Sequence, residues 1–123
     1  MATVAGSDQQ FFQSHRVRTW TPLTTTNADG APIGYASNGM GGVTFQVTGT
    51  WGAGGAMVIE GSNDGSTYFT LNDQANAPLT MSANALKTVR DGPLWIRPRV
   101  TAGDGTTSLT VVAALQKSAF IVG

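Results

Sequence analysis

The sequence predicts an all-β fold, a single antiparallel β-sandwich or jelly roll with an extended N-terminal arm. Three observations carry this. Apolar and polar residues alternate in several short segments, the period of a strand with one buried face. Glycine takes 16 of 123 positions and falls between those segments, so the chain turns often. Helix signals are sparse: residues 82–87 alone read as a turn of helix, too short to stand by itself.

Residues 1–16 read as the arm and residues 17–123 as the sandwich. The arm carries adjacent Phe11 and Phe12, two aromatics that need a covering surface. That surface is either the sandwich itself or a neighbouring subunit. Arg16-Val17-Arg18-Thr19-Trp20-Thr21 alternates and sets Arg16, Arg18 and Trp20 on one face. Residues 24–42 form a long connection with room for a short strand near Ile33. The clearest strand follows, with Val43, Phe45 and Val47 on one side and Thr44, Gln46 and Thr48 on the other.

A glycine turn at 52–55 leads into Ala56-Met57-Val58-Ile59-Glu60. Trp51, at the end of the preceding strand, is expected to pack inside. Asn63-Asp64-Gly65 is a turn, because these residues tolerate positive φ. Thr67-Tyr68-Phe69-Thr70-Leu71 reads as the next strand, and a loop then leads to Pro78-Leu79-Thr80-Met81. In residues 94–100, Leu94, Ile96 and Val100 are expected to face inward, and Trp95, Arg97 and Arg99 outward. Pro98 has no N–H to give, so this strand lies at an edge or is interrupted there. Residues 109–115 close the sheet as a buried strand.

Seven basic and seven acidic residues cancel, and charged residues are 11% of the chain. A nucleic-acid partner is not expected, since no basic stripe is present to neutralise phosphates. No apolar run is long enough for a membrane-spanning helix. The first residues lack a basic segment followed by an apolar one, so no Sec leader is expected. Cysteine is absent, which removes disulfides and thiolate metal sites. A weakly charged surface associates readily, as suits a subunit of an assembly.

Chemistry-bearing motifs are few. There is one histidine, His15, expected to be solvated or packed. The glycines at 52–55 lack the lysine and following helix of a phosphate loop. Asp29, Asp64, Asp73, Asp91 and Asp104 all fall in turns, and Glu60 alone sits within a strand. Glu60 with Asp64 as an acid pair and a weak, non-EF calcium site in the 61–73 loops stay open as minor alternatives. No enzyme activity, cofactor or metal is expected. The candidates are interface residues: Phe11 and Phe12 as arm anchors, and Arg16, Arg18, Trp20, Trp95, Arg97 and Arg99 as contact patches. Tryptophan and arginine are enriched at binding hot spots.

The stretch from Met57 through Glu60-Gly61-Ser62-Asn63-Asp64-Gly65 to Leu71, then Ile96-Arg97-Pro98 and Gly103-Asp104-Gly105-Thr106, resembles a family of small phage structural proteins. The resemblance spans roughly residues 43–115. It implies a β-sandwich that decorates or cements a phage head, binds the major capsid protein, and sits as a homotrimer on the virion after folding in the host cytoplasm. The alternative is a module associated with a phage tail, baseplate or fibre, with or without carbohydrate binding. Gly61-Ser62-Asn63-Asp64-Gly65 also resembles a scaffold turn of discoidin-like sugar-binding jelly rolls, which are longer and carry a disulfide.

Overall fold

The computed structural model describes the backbone of residues 3–11, 15–34 and 40–117, and the side chains of 3–7, 16–34 and 42–116. Among these residues the fold is all-β. The strands are β1 (Thr3–Val4), β2 (Ser7–Phe11), β3 (His15–Leu23), β4 (Asp29–Gly30), β5 (Ile33–Gly34) and β6 (Met40–Thr50). They continue with β7 (Ala56–Ser62), β8 (Phe69–Thr70), β9 (Thr80–Met81), β10 (Ala85–Thr88), β11 (Trp95–Ala102) and β12 (Ser108–Lys117). Sheet 1 runs β1-β4-β11-β7-β8, with β5 also on β11 and β9 also on β7. Sheet 2 runs β10-β6-β12-β3-β2.

Both sheets bury one common core. Sheet 2 gives it Trp20, Val43, Phe45, Val47, Leu109 and Val111; sheet 1 gives it Met57, Ile59, Ile96 and Val100. Trp20 and Phe45 stack with centroids 6.1 Å apart, and the Trp20 indole N–H donates to the Ala31 carbonyl at 3.0 Å. That bond satisfies the one polar atom of a wholly buried side chain.

Several expectations change. Trp20 does share a face with Arg16 and Arg18, but it is the inward face. Register pairs Arg16, Arg18 and Trp20 with buried Leu115, Ala113 and Val111. Trp20 is therefore core and no surface contact, while Arg16 and Arg18 are half-buried near the sheet's end. The part of the expected arm that is described does not stand free: β1 pairs in parallel with β4 of sheet 1, and β2 pairs with β3 of sheet 2. Phe11 ends β2 opposite His15, and Phe12 lies outside the described residues. Residues 85–87 of the six-residue stretch offered as a turn of helix lie in β10, because pairing with β6 satisfies their backbone where so short a helix could not. Leu94 precedes β11 and is 47% exposed rather than inward.

Pro98 neither sets β11 at an edge nor breaks it; only the pairing on its side toward β4 and β5 is interrupted. Ile59, its register partner, donates to Leu79 and accepts from Leu71, both on the far side of β7. Ile59 and Pro98 thus form a pair without mutual hydrogen bonds, and the Pro98 nitrogen points toward β4 and β5. On that side β5 meets β11 at Trp95 and Ile96, and β4 meets it at Arg99. The missing donor falls in the gap between them.

Candidate interaction face

Strands β7 and β11 pair antiparallel with Glu60 opposite Arg97. Alternation then puts Trp95, Arg97, Arg99, Glu60, Ser62 and Val58 on the outer face of sheet 1, while Ile96, Pro98, Val100, Met57 and Ile59 face the core. The expected outward set of Trp95, Arg97 and Arg99 is brought together here.

Glu60 organises this face. It is 3% exposed although it points away from the core, because the arginines lie across it. The Nε–H of Arg97 donates to Glu60 Oε1 at 2.8 Å, and the Nε–H of Arg99 donates to the same oxygen at 2.9 Å. A longer bond joins Arg99 Nη2 to Oε2 at 3.4 Å. Two cations beside one carboxylate offset the cost of burying it. Arg97 lies over the Tyr68 ring, 3.9 Å from its centroid, a cation–π contact. Its Nη1 also stands 3.9 Å from Asp29 Oδ2, which is a charge contact too long for a hydrogen bond. The Tyr68 hydroxyl is buried without a hydrogen-bond partner, and desolvation pushes its pKa above the ordinary 10.0.

The turn between β7 and β8 frames the other end. Asp64 Oδ1 accepts from the Ser66 and Thr67 amides at 2.8 Å each and from Ser62 Oγ at 2.7 Å. These donors favour the charged form and hold the Asp64 pKa at about 2. Gly65 takes φ +77°, and a Cβ there would stand 3.5 Å from Trp95 Nε1. Asn63 Oδ1 accepts from the Leu94 amide at 3.0 Å, tying the turn to the start of β11. Trp95, 38% exposed, is thereby set beside a fixed turn. Next to it lies an open groove of about 540 Å³ lined by Gly61, Ser62, Asp64, Phe69, Leu71 and Pro93, with Phe69 68% exposed.

The outer face of sheet 2 has another chemistry. Register and alternation place Val17, Thr19 and Thr21, then Thr110, Val112 and Ala114, then Thr44, Gln46 and Thr48, then Leu86 and Thr88 on it. Thr21 and Thr110 hydroxyls bond at 2.8 Å, and those of Thr44 and Thr88 at 3.3 Å. No charged side chain lies on this face among the described residues.

Sequence reasoning missed Glu60, Tyr68 and Asp29 as members of the face. The signal was a lone carboxylate inside an apolar strand, which needs a cation partner. Which cation it meets depends on a pairing between segments 37 residues apart. Trp51 packs against the core as expected, with its indole N–H donating to Asn84 at 3.0 Å. No protein-family model, curated protein or solved structure matches the chain.

Proposed function

We propose that this protein is a virion structural protein. It decorates a phage head and cements it by binding across major capsid protein subunits, as a homotrimeric β-sandwich of jelly-roll type. The observation that carries this reading is the division of chemistry between the two outer faces. One presents Trp95, Arg97 and Arg99 on a rigid frame; the other carries threonines, Gln46 and apolar side chains, with no charge among the described residues. A plate with two unlike sides suits a bridge, one side toward the shell and one toward further copies.

Formal net charge is zero, so copies packed densely on a shell do not repel one another. Many modest contacts repeated by symmetry give high avidity without a single strong site. Binding the expanded shell alone would stabilise it by mass action. The segment around Phe11 and Phe12 supplies a further contact of the same kind. Nucleic acid, membrane and cofactors have no part in the reading, and neither does catalysis.

The test is the mass in solution by light scattering, alone and with expanded capsids. A trimer that sediments with capsids supports the reading, and a monomer indifferent to them overturns it. The groove beside Phe69 favours a second reading, a module of a phage tail, baseplate or fibre that binds carbohydrate. An exposed aromatic ring with polar Ser62 and Asp64 at its rim matches the apolar face and hydroxyls of a sugar. Saturable binding on a glycan array, lost in Phe69→Ala, would favour that module.

A further inference from the structure

We infer that Arg97 and Arg99 together form a receptor for carboxylate side chains, and that the partner surface meeting this face is an acidic protein segment. The inference rests on the cement reading and gives its shell contact a chemistry.

The geometry begins at the buried carboxylate. Glu60 Oε1 takes the Nε–H of both arginines, at 2.8 and 2.9 Å. Arg97 holds Glu60 through Nε alone, whereas Arg99 adds a long bond from Nη2, so the end of each fork away from Glu60 still has N–H groups to give. Both Nη atoms of Arg97 lack a hydrogen-bond partner among the described residues, and Arg99 has only the 3.4 Å contact from Nη2. The Arg97 and Arg99 side chains are 21% and 38% exposed, so solvent reaches them while Glu60 stays covered.

Formal charge is balanced here, but the donors are not all filled. Glu60 and Asp29 offset the two guanidiniums, yet Asp29 stands 3.9 Å from Arg97 Nη1 and takes no hydrogen bond from it. A guanidinium fork matches a carboxylate in a bidentate way, a fit that an ammonium does not offer. The site is also pre-organised. Tyr68 stacks under Arg97, and Glu60 fixes both Nε atoms, so little side-chain freedom remains to be lost on binding. Trp95, on the same face, adds an exposed ring as an apolar neighbour.

The probe is a capped hexaglutamate peptide, titrated into the full-length protein while the Nε–H signals of Arg97 and Arg99 are followed by NMR. The expected result is a saturable shift of both signals, weakened by salt and at least tenfold weaker in Arg99→Gln. Arg99→Lys, which keeps the charge and loses the fork, should recover only part of the binding. Arg99 is the more exposed of the pair, and melting of each variant beside the parent reports whether the fold is kept. No saturable shift, or equal affinity in Arg99→Gln, overturns the inference. Inorganic phosphate binding as tightly as the peptide also overturns it, in favour of a general anion site. The two readings fail separately. Arg99→Gln that sediments with capsids like the parent sinks the receptor and spares the cement function. A parent that binds hexaglutamate and ignores capsids does the reverse.

Discussion

Trp20 and Trp95 show how little a residue type says before its face is known. Trp20 is wholly buried against Phe45, while Trp95 is 38% exposed beside a turn. Trp20→Ala should cost about 3–5 kcal/mol in urea unfolding, and Trp95→Ala below about 1 kcal/mol. Alternation correctly grouped Trp20 with Arg16 and Arg18, but could not say which face looked inward. A buried tryptophan and half-buried arginines can share one face because the core ends before the strand does. Glu60→Gln should destabilise by about 2 kcal/mol, since two guanidiniums then lie together without their anion. The figure is below the ~3–5 kcal/mol of a fully buried pair because the arginines reach solvent. Acid should act through two turn carboxylates. Amide and hydroxyl donors hold Asp64 and Asp104 at about 2, below the ordinary 3.8. A lowered folded-state pKa adds stability that is complete above pH 3.8 and lost as pH falls toward 2. Carboxyl NMR titration should find both midpoints near 2, and Asp64→Asn with Asp104→Asn should flatten the loss of stability between pH 4 and 2.

At the level of strands, the sequence was most legible where alternation was regular. β6, β7, β11 and β12 all lie where periodicity put them. Short elements were harder. β8 keeps only Phe69 and Thr70 of a five-residue expectation, and β10 overlaps residues 82–87, which offered only a turn of helix too short to stand alone. Two to four residues carry too little pattern, and their conformation is decided by the long strand they pair with. Pro98 signalled a strand at an edge or broken there, whereas β11 runs through it with neighbours on both sides, and only the pairing toward β4 and β5 lapses. Gly30 explains how the gap is filled: a Cβ there would stand 2.7 Å from Pro98 Cγ and 3.1 Å from Trp20 Cδ1. Neither ring can bend away. Gly30→Ala should therefore lower stability by about 1–3 kcal/mol, read as a shift of the urea midpoint without a change of slope.

For the molecule as a whole, two sheets and a common core were legible from composition and turn spacing. The division of charge between outer faces was not, because it arises from β7 meeting β11 and β6 meeting β12 across long stretches of chain. If the threonine face joins copies, Gln46→Lys should reduce the mass in solution to that of a monomer. Its melting should stay within the range of an ordinary surface change, because Gln46 is exposed. The placement of the first strands has a mechanical consequence. β1 lies on the rim of sheet 1 and β2 on the rim of sheet 2, whereas β12 lies inside sheet 2 between β6 and β3. A load drawn through the N-terminal segment peels rim strands open one pair at a time. The same load drawn through β12 must shear two ladders at once. The domain is therefore weak toward one tether and strong toward the other, and under tension it yields at its N-terminal edge while the central strands hold.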